Sequence, residues 1–264
     1  MIALIHIKKT AGKSLKHIMR CAFGVAHCDV KRWQPQDECF GAEDLRRLRR
    51  IHPGLVSIAG HSIRSHSDLQ TAEPALRYYT FMRDPIKRCI SEYQYSVHQG
   101  RCAPDSFAEW IQRPVFRNVQ TRSLAGCDDA ARAIRELDER IAFVGLMERF
   151  DESLAMMQPL LNLPRFTPLQ RRVNAASDHR IRDAVLADPQ AMAEVAAANE
   201  ADSAVFEYVQ RELYPRQQRL AGRTQVAVSA ADRPRQFNAR FFANGAYRYL
   251  VYKPAVSAYR LMAG

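Results

Sequence analysis

Three short stretches combine anion-binding residue types with the spacing expected at strand ends. Lys8-Lys9-Thr10-Ala11-Gly12-Lys13-Ser14 places ammonium groups, hydroxyls and a glycine between an apolar run and a helix-periodic segment starting at Leu15. A strand–loop–helix of this kind offers backbone N–H groups, a helix N-terminus and positive charge to a phosphate or sulfate. Thr80-Phe81-Met82-Arg83-Asp84-Pro85 leads into Arg88 and Ser91. There the planar fork of Arg83 and the hydroxyl of Ser91 can converge on one phosphate. Gly60-His61 closes a third apolar run, and an imidazole just past a strand end is well placed as a general base. His6 falls inside the first apolar run and reads as a core residue, while His66 and His98 have no supporting context. The Ala-Gly-Lys-Ser stretch invites comparison with a Walker A loop. That motif needs a glycine five positions before Gly12, where Ile7 stands, so the loop is too short to wrap a triphosphate in the usual way.

The elements that must hold these residues follow from periodicity. Ile2 to Ile7, Leu55 to Ala59, Leu76 to Met82 and Ile141 to Leu146 are apolar runs that predict buried strands. Helical spacing predicts helices over 15–23, 42–51, 107–112, 130–139 and 148–161. Asp84-Pro85 and Asp188-Pro189 each supply a cap and a first-turn proline. They open helices expected to reach His98 and Tyr214, the second stopped by Pro215. Strands alternating with helices imply an α/β fold: a single domain with a central, mostly parallel sheet flanked by helices, built on a P-loop-like strand–loop–helix. In such sheets ligands bind outside the carboxyl ends of the strands, where all three stretches fall.

Charge divides the chain. Of a net +11 over 264 residues, +8 lies from Arg216 onward, where nine basic residues face one acid, Asp232. This gives a domain over 1–215 and a basic, aromatic-rich extension over 216–264. The extension's candidate partners are a membrane surface, an acidic glycan or a second subunit; it can also pack on its own domain. No nucleic-acid module is recognisable, so nucleic acid is not expected as a partner. The N-terminus has no basic n-region and no cleavage site, and no apolar run reaches membrane-spanning length. The six cysteines form no C-x-x-C pair. Free thiols in a reducing cytoplasm, and no zinc, are the expectation. A position at the inner membrane surface is the alternative location.

The segment from His6 to Leu15 resembles the 5′-phosphosulfate loop of sulfotransferases that use 3′-phosphoadenosine 5′-phosphosulfate (PAPS). Arg83-Asp84-Pro85 with Arg88, Ser91 and Tyr93 resembles their 3′-phosphate motif. Asn118 to Leu124 and Phe143 to Leu154 resemble segments of the carbohydrate branch related to heparan sulfate 2-O-sulfotransferase. The matches run in order over about residues 2 to 215. Two departures stand out: Lys8 replaces a usual proline, and Lys13 a usual threonine or serine. The missing proline is expected to loosen the loop.

The resemblance implies a sulfotransferase fold that moves a sulfuryl group from PAPS to a hydroxyl of a glycan or polysaccharide, without a metal. It implies Lys9 and His61 as catalytic residues. Lys9, Thr10, Ala11, Gly12, Lys13, Ser14 and Leu15 would hold the 5′-phosphosulfate, and Arg83 and Ser91 the 3′-phosphate. Arg172, in a stretch resembling a loop that closes over the nucleotide, joins the donor set. Gln120 and Arg122 are the implied acceptor contacts. Two other readings stay open: a P-loop kinase-like phosphotransferase, and a non-catalytic glycan- or lipid-binding protein on the same fold.

Overall fold

The computed structural model describes residues 1–163, 180–222 and 238–263. The chain opens with β1 (Ile2–Ile5), α1 (Gly12–Phe23), β2 (His27–Asp29), α2 (Ala42–Ile51) and β3 (Ser57–Gly60). It continues through α3 (Leu69–Ala72), β4 (Arg77–Met82), α4 (Pro85–His98), α5 (Phe107–Gln112), α6 (Val119–Ala125), α7 (Ala130–Glu139) and β5 (Ile141–Leu146). Beyond these come α8 (Phe150–Leu161), α9 (Arg180–Ala187), α10 (Pro189–Ala198), α11 (Glu200–Tyr208) and α12 (Tyr214–Gly222), then α13 (Ala239–Tyr247) and α14 (Lys253–Ala263).

The five strands pair in the order β2-β3-β1-β4-β5, every pair parallel. A sheet covered on both faces requires apolar strands without polar alternation, and β1 and β3 are buried at every position. Parallel pairing also brings every carboxyl end to one edge. The loops after β1, β3, β4 and β5 therefore emerge side by side.

β1 is shorter than the apolar run predicts. The His6 N–H makes the last bond to β3, to the Gly60 carbonyl at 3.1 Å, and the Ile7 N–H then turns back to the Ile5 carbonyl at 3.1 Å, so the chain leaves the sheet at His6. The edge strand β2, three residues long, is at the short limit of strand length and too short to show a periodic signal. A second apolar cluster, with Tyr93, Trp110 and Val195 among its members, packs α4, α5 and α10 beside the sheet. All six cysteines are free.

The expected helix from Pro189 to Tyr214 is broken, and Pro215 does not stop it. The chain breaks at Asn199, passes through a π-helical turn at Val209–Leu213 and resumes as α12 with Pro215 inside its first turn. A second π turn, Arg248–Tyr252, precedes Pro254 in α14. In both, the wide turn spans the point where proline has no N–H to bond four residues back.

The C-terminal helices dock on the domain's own amino-terminal half. The Asn244 amide donates to the Gly24 and His27 carbonyls at 2.8 and 2.6 Å. The Tyr252 hydroxyl accepts from the Lys31 N–H at 2.8 Å. The Arg260 guanidinium donates to the carbonyls of Trp33 and Arg32. Arg248 pairs with Asp29 at 3.0 Å, joining Arg20, Lys16 and His27 around that buried carboxylate. Burial alone would raise the Asp29 pKa, but the bond from His27 and the surrounding cations hold it well below the usual carboxylate range. Much of the tail's basicity is thus spent internally. Among the described residues, no helix is long and apolar enough to cross a membrane.

Candidate active site

The loop after β1 is built around unusual backbone. Lys9 and Ala11 both adopt left-handed conformations, with φ of 67° and 65°. Ala11 is the N-cap of α1 and supplies no side-chain cap. The first N–H groups of α1, those of Gly12, Lys13 and Ser14, have no intrahelical partner and stay available to an anion. The Leu15 N–H is not among them. It donates to the Ala11 carbonyl at 3.1 Å, and the Leu15 side chain is core. The donor cradle therefore ends at Ser14, one residue short of expectation.

Thr10 also differs from expectation. Its side chain is buried and its hydroxyl donates to the Ile7 carbonyl at 3.0 Å, so that proton cannot serve a phosphate. The bond braces the loop from within, in place of the missing proline at position 8. Lys9 is half-buried. Burial depresses its pKa, opposed by Glu92 and reinforced by Arg83 and Lys13.

His61 stands exposed at the end of β3. Its Nδ1 lies 2.7 Å from the His6 carbonyl, which can only accept. Nδ1 therefore carries the proton and Nε2 keeps its lone pair, the tautomer a general base requires. Desolvation lowers the His61 pKa, and Lys16, Lys8 and Arg64 add to the effect against the bond to His6. The free imidazole is thus favoured near neutrality.

His6 is the residue the sequence misplaces. It is not strand core but the support of the base. Its ring stacks on His61 with centroids 3.8 Å apart and planes 23° from parallel. Gly12 makes room for it: a Cβ there would lie 1.7 Å from His6 Nε2. Burial pushes the His6 pKa down to about 2, so the stacked ring stays neutral. The glycine thus serves the ring as well as the anion cradle, which a motif alone does not reveal.

Arg83 leaves β4 with its backbone clamped. The Gln120 amide accepts from the Arg83 N–H at 3.0 Å and donates to the Arg83 carbonyl at 2.8 Å. Glu148, past the end of β5, accepts from the next N–H, that of Asp84, at 3.0 Å. The Arg83 guanidinium donates to the Lys9 carbonyl at 3.4 Å. Burial lowers the Arg83 pKa, with Glu148 acting against it. Ser91 is half-buried in the second turn of α4.

The two implied acceptor contacts have other employment. Gln120 is fully buried and spends its amide on Arg83, so it positions the arginine and does not face an acceptor. Its helix is held by reciprocal capping. Asp202 of α11 accepts from the N–H groups of Gln120 and Thr121 at 3.1 and 2.7 Å. Asn118, before α6, accepts from those of Ala201 and Asp202. Buried Arg88 stands 4.0 Å from the Asp202 carboxylate. Arg122 is already forked onto Asp128 at 2.6 and 2.5 Å and donates to the Pro114 carbonyl. That pairing raises the Arg122 pKa and leaves no free fork for an acidic sugar. The stretch Arg171–Asn174, with Arg172, lies outside the described residues.

The family model described as "Sulfotransferase family" matches residues 1–209. A crystal structure of a sulfotransferase from Alicyclobacillus acidocaldarius is 17% identical, covering 75% of this chain and 85% of that one. Its TM-score is 0.32, too distant a likeness to carry an argument. No curated protein matches the chain. The family match takes in the loop after β1, His61, Arg83 and the helix bearing Asp202, and so the chain belongs to the sulfotransferase family.

Proposed function

We propose that the protein transfers the sulfuryl group of PAPS to a hydroxyl of a glycan acceptor. One observation carries the reading. His61 and Arg83, from the strands on either side of β1, both bond to carbonyls of the single loop that holds Lys9. A base, a cation and a phosphate-binding arginine are thereby tied to one short backbone segment. Sulfuryl transfer asks mainly for positioning and charge stabilisation, as phosphoryl transfer does.

In this reading the N–H groups at the start of α1, with Lys13 and Ser14, hold the 5′-phosphosulfate. Arg83, fixed by Gln120 and Glu148, holds the 3′-phosphate and selects PAPS over ATP. His61 Nε2 takes the proton of the acceptor hydroxyl as its oxygen attacks sulfur in line. The bond from sulfur to the phosphate oxygen breaks on the opposite side. Lys9 faces that departing oxygen and stabilises the charge it gains. The glycan acceptor rests on the resemblance to the carbohydrate branch.

The test is transfer of labelled sulfate from PAPS to a panel of polysaccharides by the wild type, Lys9→Ala and His61→Ala. Both variants should lose turnover on whichever acceptor the wild type uses. Full activity in both would sink the role assignments. Phosphate transfer from ATP with magnesium would replace the reading with a kinase.

A further inference from the structure

We propose that Tyr95 and Arg101 form a subsite that holds the carboxylate or sulfate of an acidic acceptor sugar beside the donor loop. The proposal rests on the sulfotransferase reading above and names the acceptor class. Tyr95 lies on the last turns of α4, half-buried. Three cations from two separate segments converge on its ring. Lys9 Nζ is 4.4 Å from the centroid, the Arg101 guanidinium 5.5 Å and Lys13 Nζ 5.7 Å.

Among the described residues none of the three has an ion-pair partner, whereas Arg20, Arg49, Arg122, Arg216 and Arg248 are all paired. The ring face offsets part of the mutual repulsion. An arriving anion would offset the remainder.

Arg101 is not placed by chance. Gly100 adopts φ 65° after the last residue of α4, and a Cβ there would meet nothing, so the glycine serves the backbone turn. Gln99, Gly100 and Arg101 donate N–H bonds to the carbonyls of Tyr95, Val97 and Ser96, at 3.0, 2.9 and 2.9 Å. This helix-ending turn folds the chain back and fixes the Arg101 backbone next to the last turn of α4. The donor's phosphates are matched by Lys9, Lys13 and Arg83, which leaves Arg101 as the additional cation. Because Lys9 and Arg101 share one ring, an anion held by Arg101 lies beside the donor loop that carries Lys9. The structure thus moves the acidic-sugar contact from Arg122, which is occupied, to Arg101, which is free.

The test measures fluorescence anisotropy of three labelled probes on the full chain, with and without saturating adenosine 3′,5′-bisphosphate. The probes are hyaluronan oligosaccharides, which carry carboxylates only, dextran sulfate, which carries sulfates only, and neutral dextran. The wild type should bind at least one charged probe and not dextran, and the charged probe it prefers separates the two sources of charge. Arg101→Gln should weaken that binding about tenfold, the worth of a charge-assisted contact. Tyr95→Leu should act in the same direction, and Arg101→Lys should restore part of the loss. Affinity for adenosine 3′,5′-bisphosphate should stay unchanged in Arg101→Gln.

Equal binding of charged and neutral probes, no binding of either charged probe, or an unchanged Arg101→Gln would overturn the subsite. The last is the result expected if Arg101 only complements the carboxyl end of α4. A parallel fall in nucleotide affinity would also overturn it, by assigning Arg101 to the donor. Loss of nucleotide binding in the wild type, with Arg101-dependent probe binding intact, would sink the donor reading and leave the subsite standing.

Discussion

The sheet edge and the C-terminal extension use positive charge in opposite ways. The edge has few cations, each set by backbone geometry and, among the described residues, none in an ion pair: Lys9 in a left-handed turn, Arg83 clamped by Gln120, Arg101 behind Gly100. The extension carries most of the net charge, yet Arg240, Arg248 and Arg260 are turned inward onto carbonyls and Asp29. Net charge therefore points toward the wrong half of the molecule for the chemistry. What distinguishes the edge is cations without ion-pair partners among the described residues, set in place by backbone turns and the Gln120 amide.

Four substitutions or titrations separate the two regions. The largest effect is expected at the edge. Lys9→Ala should lower the sulfation rate about 100- to 1,000-fold, the usual loss for one charge-stabilising donor, while leaving the melting temperature near that of the wild type. A stability loss matching the rate loss would erase the distinction.

In the extension, Asn244→Ala strands two buried carbonyls and should destabilise the fold by about 1–3 kcal/mol in a denaturant titration, with nucleotide affinity unchanged. A large fall in nucleotide affinity would show that the extension shapes the donor site. Acid should act at the edge through His6. Its folded pKa, about 2, lies far below the ordinary imidazole value, so the unfolded chain binds the extra proton as pH falls below 6.5. Stability is complete above that pH and should drop by about 2 kcal/mol by pH 5. His52 and His61 shift in the same direction, so His6→Asn should flatten the profile only in part. An identical profile in His6→Asn would remove the neutral stack from the account. The smallest effect is expected from Arg122→Gln, an exposed pair with Asp128: under about 1 kcal/mol in stability and no change in acceptor KM. A raised KM would return Arg122 to the acceptor site.

Much of the framework was legible because apolar runs and capped helices are local signals. Four of the strands, the proline-opened α4 and the placement of Lys9, His61 and Arg83 at one edge follow from such patterns. The errors share a cause. His6 sits in an apolar run, so nothing local shows that the chain leaves the sheet at it and that its ring supports His61 against Gly12. Gln120 lies in the segment whose family resemblance implied an acceptor contact. Only the fold brings Asp202 and Asn118 together to cap each other's helices and turn that amide onto Arg83. Pro215 reads as a stop because a π turn has no sequence signature. The end of α4 near His98 was legible, but the approach of Arg101 to the Tyr95 ring that Lys9 and Lys13 share depends on how the fold sets α4 beside the loop.

The most direct measurement is a calorimetric titration of the full chain with adenosine 3′,5′-bisphosphate, repeated with Arg83→Ala and Gln120→Leu. The account predicts one-to-one binding without added metal, abolished by Arg83→Ala and weakened about tenfold by Gln120→Leu, which leaves the Arg83 backbone unheld. No binding by the wild type, or binding indifferent to both substitutions, would contradict it.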